Sequence, residues 1–473
     1  MSDFHGVRAR QIATSISTPV VAGSGITFVV GTAPVHSVDG KANDPVYGGN
    51  NSEAVSALGY GDDWGKYTLC EVMYCHFRLY ATAPVVFVNV LDPSKHKKVA
   101  AAKNYPVKDK KVLLPFEAIK SSVKATGYEA GKDYDLFYGE NSLTLEILDG
   151  GTIPDTTGDL MVGFDEVDPS QVTKGDIIGG FDVVTKKTSG FELLDSVFPK
   201  YGVVPDVIVC PGWSHDPEVA AIMGAKASNI NGIFSAISVC DVDTAAVKHY
   251  ADVPLWKKKQ NINAKTQILC FPKGKLGGRV FHMSTQAAGL MGRVDTENGA
   301  CPAESPSNKL LQINGAVLSD SEEVLLDLQQ ANYLNANGVV TALNFIGGFV
   351  LWGNETACYP ANTDAKDYFI SVSRMFGWVA NSVILTYWSK VDNKMTRRLA
   401  DSIIDSVNIW LNGLTSEEKL LGGRVEMRPE ENSTESLMAG KIVFHIFMTP
   451  PSPAKEIEFV QEYDISYIVS AFA

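Results

Sequence analysis

One stretch near the middle of the chain limits the possible folds more than any other. Val203–Cys210 (VVPDVIVC) is apolar enough for a strand buried on both faces, and the Pro211-Gly212 loop ends it. Asp216 can then cap a helix that has Pro217 at its first position and runs toward Asn229. After Gly232 a second buried strand follows, Ile233–Cys240. Two strands joined by a helix over so short a distance pair naturally in parallel through a right-handed crossover. The expected fold class is therefore α/β, or α+β for the whole chain, with an α/β core domain.

Neighbouring text extends that core. Ile26–Val30 reads as a short buried strand, Ser52–Leu58 as a short helix and Tyr67–Tyr80 as a longer one, with Leu69, Val72, Met73 and Phe77 at near-helical spacing. Pro84–Leu91 (PVVFVNVL) is another buried strand, and Gln267–Phe271 and a helix around Met283–Gly292 continue the pattern. Ser319 and Glu322 have the spacing of a capping box for a helix ending near Gly338. With 473 residues the chain should hold two to four domains. The expected division is an arm over 1–20, a middle domain over 21–95 and 189–338, an insert over 96–188, a C-terminal domain over 339–454 and a terminal strand over 455–473.

The insert is set apart by its charge, a lysine-rich first third followed by an acid-rich remainder, with strand-like pieces at Leu143–Leu148 and Asp159–Val167. It is expected to be a small β domain. Beyond Gly338, Val339–Trp352 reads as two strands turned at Gly347-Gly348, and Asp367–Phe376 and Met395–Trp410 read as helices. Lys441–Met448 is a further strand. In the last run Ile457, Phe459, Tyr463, Ile465, Tyr467 and Val469 share one face at period two, the clearest strand signal in the chain. At the other end Val7, Ile12, Ile16 and Val20 punctuate a polar Ser/Thr-rich run of extended character.

Composition removes several classes of function. A formal net charge of -13 would repel a polyanion, so no nucleic-acid partner is expected. The apolar stretch Pro19–Ala33 is diluted by Gly23, Ser24, Gly25 and Thr27, too short and too polar to span a bilayer, so no membrane insertion is expected. Seven cysteines without CxxC spacing suit reduced, buried thiols of a cytosolic product.

No motif names a reaction. Ser214-His215-Asp216 holds the residue types of a hydrolase triad, but adjacent residues cannot line up hydroxyl, imidazole and carboxylate, and a helix-capping turn explains them better. Gly23-Ser24-Gly25 is not a nucleophile elbow, and the loop Lys273–Gly278 lacks the P-loop pattern. The eight histidines show no metal-ligand spacing. Catalytic residues, metal and cofactor are each expected to be none.

Several long blocks, in order, resemble phage tail sheath proteins. These are HGVRARQIATSISTPVVAGSGITFVVGTAPVH (His5–His36), EAVSALGYGDDWGKYTLCEVMYCHF (Glu53–Phe77), APVVFVNVLDPSKH (Ala83–His96) and Gly202–Thr244. Later come NFIGGFVLWGNETACYP (Asn344–Pro360), SVSRMFGWVANSVI (Ser371–Ile384) and RRLADSIIDSVNIWLNGL (Arg397–Leu414). The resemblance covers nearly the whole chain, least over 97–187. It implies a structural, non-enzymatic subunit that stacks as hexameric rings around a tail tube and contracts to drive the tube through a cell envelope. It further implies self-association, tail tube, baseplate and tail terminator partners, and a place in a virion tail or tailocin particle assembled in the bacterial cytoplasm. A conserved inner domain would face the tube, and the two terminal arms would add strands to neighbouring sheets. An α/β enzyme of unknown reaction and the sheath of another contractile injection system are the alternatives.

Charge suggests where the tube would lie. Lys390, Lys394, Arg397 and Arg398 cluster at the start of a helix in an otherwise acidic chain. Positive charge there opposes the helix dipole, a hint that something else requires it.

Overall fold

The computed structural model describes residues 20–154 and 158–472, apart from the side chain of Val469. Eight strands form its main sheet: β1 (Thr27–Gly31), β2 (Val46–Gly48), β3 (Val85–Asn89), β4 (Val207–Val209), β5 (Ile237–Asp241), β6 (Gln267–Phe271), β7 (Val340–Asn344) and β8 (Phe349–Trp352). They lie in the order β8-β7-β6-β5-β4-β1-β3-β2. The five inner pairings are parallel, and only the outermost pairs β7-β8 and β3-β2 are antiparallel. Every residue of β1, β3, β5 and β6 is buried. Such burial on both faces is what parallel strands between helical layers require, and it is the reason they read as continuous apolar runs. The α/β expectation holds. Asp216 caps the helix Pro217–Ser228 as expected, its Oδ1 accepting the Glu218 N–H at 2.9 Å.

Residues 97–167 carry two three-stranded antiparallel sheets around a core of their own that includes Val112, Leu143, Leu145 and Val162. Lys97 pairs with Val167, so this unit leaves and rejoins the main domain at one place. Residues 168–188 do not share its core, because Val172 and Ile177 pack into the main one. The insert is thus shorter than 96–188, and the polar text around those two residues hid which core they join.

The boundary expected at 338/339 is also displaced. α1 (Met283–Glu297) belongs to the main domain, β7 and β8 complete its sheet, and the C-terminal unit begins only with α2 (Ile370–Tyr387) and α3 (Arg397–Ser416). Ile370 lies in the main core, whereas Met375, Trp378 and Val379 join a second core with Val407, Leu411 and Leu414 of α3. The helix expected over Asp367–Phe376 is really two, Ala365–Tyr368 and the much longer α2. The hairpin β9 (Gly422–Glu426) and β10 (His445–Thr449) packs beside α3.

Two local expectations fail. The capping box is Asp327 with Gln330, which starts the helix Leu328–Asn335, and Ser319 instead bonds Thr244. The main-chain pairing of Leu318 with Glu322 and of Val324 with Ala316 outcompetes a helix there. Lys273–Gly278 is part of a hairpin, Lys273–Leu276 with Arg279–Phe281, not a free loop.

Lys257 ties three segments together. Its Nζ donates to the carbonyls of Asn337 at 2.6 Å, Tyr359 at 2.9 Å and Gly338 at 3.3 Å. Burial lowers its pKa to about 8. The unfolded chain then binds the proton more tightly between about pH 8 and the ordinary lysine value, so this group makes stability rise with pH across that window. Lys257→Met should cost about 3 kcal/mol at neutral pH, because buried carbonyls lose their donor. Urea titrations at pH 7.5 and 9.5 should show that the gap between wild type and Lys257→Met changes with pH. An unchanged gap would mean that the ammonium is not held back by burial.

Candidate assembly surfaces

α2 is the member around which the surfaces are arranged. Its Arg374 guanidinium is buried against two carboxylates from the main domain. Nη1 donates to Asp295 Oδ1 at 3.0 Å, Nη2 donates to Asp206 Oδ2 at 2.7 Å, and Nη2 also pairs with Asp295 Oδ2. Ser24 Oγ donates to Asp295 Oδ2 at 2.6 Å. Asp206 heads β4, Asp295 belongs to α1, and the loop Gly23–Gly25 brings in Ser24. A close approach makes this possible: Gly25 has φ +77°, and a Cβ there would stand 2.8 Å from Gly292 Cα of α1. Burial pushes the Asp206 carboxyl up in pKa even beside the guanidinium. Two turns further along, Asn381 exchanges two hydrogen bonds with the Ser235 backbone.

The same helix holds Val20–Ala22, the segment in which the expected N-terminal arm ends. Trp378 Nε1 donates to Ala22 O at 2.9 Å, Ala22 N donates to Ser382 Oγ at 2.9 Å, and Val20 N donates to Thr386 Oγ1 at 2.8 Å. Residues four apart on a helix share a face, so Val20–Ala22 lies along α2 with Val20 near its C-terminal end. Val20 is exposed there, and the expected arm residues Val7, Ile12 and Ile16 lie outside the described residues.

The C-terminal segment behaves differently from the expected strand. No strand forms over Ile457–Val469: 457–465 carry no regular structure, and Ser466–Phe472 is a short helix. A strand needs a ladder partner, and none of the described strands of the subunit offers one here. Asp464 Oδ1 instead accepts the Ser466 N–H at 2.9 Å and starts the helical turn. Ile457, Phe459, Tyr463, Ile465 and Tyr467 are all exposed, Phe459 to 84 %.

The β9-β10 hairpin has one covered and one uncovered edge. Val425 of β9 turns its N–H and C=O to Asn408 of α3, at 2.8 and 3.2 Å, so the helix closes that side. Its partner Ile446 on β10 must turn its main-chain groups the opposite way. No strand covers that edge among the described residues.

Lys390 and Lys394 lie in the turn between α2 and α3 and Arg397 and Arg398 open α3, with Lys394, Arg397 and Arg398 exposed. Thr396 caps α3 by accepting the Leu399 N–H, and Arg397 pairs with Asp401 one turn on at 3.0 Å.

The C-terminal ends of the parallel strands, where α/β sheets usually receive ligands, are filled by the chain itself. Asp241 at the end of β5 accepts the Ser284 N–H at 2.8 Å and the Ser214 hydroxyl at 3.1 Å. Glu71 accepts from His282 N at 2.7 Å, and its other oxygen lies 2.8 Å from His282 Nδ1. Ser214 therefore engages Asp241 while Asp216 serves as a helix cap, and the three adjacent residues act separately. Among the described residues no cluster of three or more metal-ligating side chains occurs, and no helix is long and apolar enough to cross a membrane. Sequence reasoning missed the α2 contacts. Their signal was a polar set, Arg374, Asn381, Ser382 and Thr386, inside an otherwise apolar helix.

No family model matches the chain. It is 28 % identical to the tail sheath protein of Burkholderia phage BcepMu, over 99 % of this chain and 98 % of that protein. It is 26 % identical to the tail sheath protein of Escherichia phage P2, over 67 % of this chain and 76 % of the other. Among solved structures, the contracted sheath of an extracellular contractile injection system, PVC, shares the fold with a TM-score of 0.59 at 11 % identity, covering 99 % of both chains. The contracted helical sheath of the anti-feeding prophage does so with a TM-score of 0.57 at 14 % identity, covering 98 % of this chain and all of that one.

Proposed function

We propose, from the premise that this chain belongs to the phage tail sheath family and is a structural sheath subunit, that its copies join through their terminal arms into stacked hexameric rings around a tail tube. The observation that carries this reading is that one subunit has both an exposed tail and a strand edge that no described strand covers. The tail displays apolar side chains at alternate positions, and β10 offers main-chain donors and acceptors with no strand across them among the described residues. Each is a liability in an isolated subunit, and each is what the other needs for β-augmentation. One added strand of about five hydrogen bonds, at about 0.5–1.5 kcal/mol each, contributes a few kcal/mol, and a ring repeats it at every subunit.

Contraction, in this reading, is rigid-body sliding of subunits whose arms stay paired, and it needs neither catalysis nor a cofactor. The partners are further copies, the tube protein and the proteins at the two ends of the tail, and assembly takes place in the bacterial cytoplasm. The small β unit over 97–167 faces outward, which is supported by its separate core and its adjoining ends. The basic turn at Lys390, Lys394, Arg397 and Arg398 faces the tube.

Electron microscopy tests both levels. The purified chain should form filaments or polysheath, and a discrete small species at every concentration would overturn the reading. Co-expressed with its tube protein, Arg397→Glu with Arg398→Glu should still polymerise but give tube-empty sheaths, and added salt should empty wild-type sheaths in the same way. Tube-filled sheaths at normal yield from the double variant would remove the basic turn from the tube interface.

A further inference from the structure

Between β8 and α2 the chain crosses from the main sheet to the C-terminal unit. In that crossing Glu355 is 1 % exposed. Its Oε2 accepts the Asn354 N–H at 3.0 Å, and its Oε1 lies 2.6 Å from Lys455 Nζ. Among the described residues Lys455 is the only cation paired with it. The crossing is itself firmly held: Thr356 N donates to Tyr368 O at 2.7 Å, and Ile370 N donates to Asn354 O at 2.8 Å. Tyr359, Tyr368 and Phe369 stack in series beside it, with the Lys455 ammonium 5.6 Å from the Tyr359 ring centre.

Lys455 reaches this place by a stiff route. It follows β10 by six residues, and Pro450, Pro451 and Pro453 favour an extended path of roughly 19 Å, at about 3.1 Å per residue. Past Lys455 nothing in the described subunit holds the tail until the short terminal helix. A buried carboxylate whose one cation can be withdrawn is costly to leave unpaired, which gives the subunit a reason to keep the tail root in place.

We propose that the Glu355–Lys455 pair is the anchor that fixes where the C-terminal arm leaves its own subunit. The pair fastens the arm to the crossing between the two halves rather than to the hairpin it comes from. This rests on the reading of the C-terminal segment as an intersubunit arm. Only 456–473 is then free to reach a neighbour, a span of at most roughly 60–65 Å when extended. Glu355 and Lys455 are positioning residues: they touch no partner but set the arm's origin and direction.

The test uses the full chain with Lys455→Glu, which breaks the pair, and Lys455→Arg, which keeps its charge. Hydrogen exchange followed by mass spectrometry should show amides of 354–359 exchanging at least tenfold faster in Lys455→Glu, with Lys455→Arg like wild type. Electron microscopy should show at least tenfold fewer ordered filaments for Lys455→Glu and normal yield for Lys455→Arg. Unchanged exchange in Lys455→Glu would overturn the anchor. Faster exchange with normal filaments would overturn its role in directing the arm. A chain lacking 456–473 that still forms normal filaments would refute the arm reading instead, while the exchange result would still decide whether the anchor exists.

Discussion

Arg374→Met is expected to lower the stability of the subunit by about 3–5 kcal/mol, because it strands two carboxylates in the interior where one guanidinium now serves both. Asp295 has no exposed surface and Asp206 has little, so water cannot replace the lost donor. The loss should appear as a large fall in the midpoint of urea unfolding. A cost within about 1 kcal/mol of wild type would mean that the side chains around the site rearrange to bury the pair another way. Asp206→Asn should be far milder. Burial already raises the Asp206 pKa, so the folded state retains a proton that the unfolded state has lost over the range above the ordinary carboxylate value. Its contribution is complete below that range and is lost as pH rises through the raised value. Asp206→Asn should remove this part of the acid-side slope, which a pH series of unfolding midpoints would reveal.

Removing residues 1–15 is expected to leave a folded, soluble subunit that no longer polymerises. The fold should persist because the bonds of Val20 and Ala22 to Thr386, Ser382 and Trp378 lie beyond the cut. Polymer should vanish because each lattice contact contributed by that arm is lost from every subunit at once, while each alone is worth only a few kcal/mol. Circular dichroism with sedimentation and electron microscopy would separate the two effects. Ordinary filaments from the shortened chain would show that the N-terminal arm does not link subunits.

The main sheet was legible because parallel strands covered on both faces must be apolar at every position, as in Val85–Asn89 and Ile237–Asp241. The period-two run at Ile457 was equally plain, but a pattern states which face a strand would bury and not whether a partner lies within the same chain. The Arg374 cluster was hidden for another reason. Its members stand 79 and 168 positions from the arginine, and only the fold brings them together. Hints existed, an acid within VVPDVIVC and an arginine within the apolar text of α2, yet neither names its partner. The displaced boundary has the same origin: Val340–Asn344 looks the same in sequence whether it closes one sheet or opens another domain.

The way Val20–Ala22 lies against α2 also bears on force. The three hydrogen bonds follow the helix axis, at Trp378, Ser382 and Thr386, with Val20 nearest the C-terminal end of that helix. A pull on the arm along this axis loads the three bonds together, in shear, so none can break without the others sharing the strain. A pull outward from the helix would load Val20 first and peel the segment away bond by bond. The subunit should therefore be strong in one direction and weak in another. A tail that shortens under its own stored energy would transmit its stroke along the strong one.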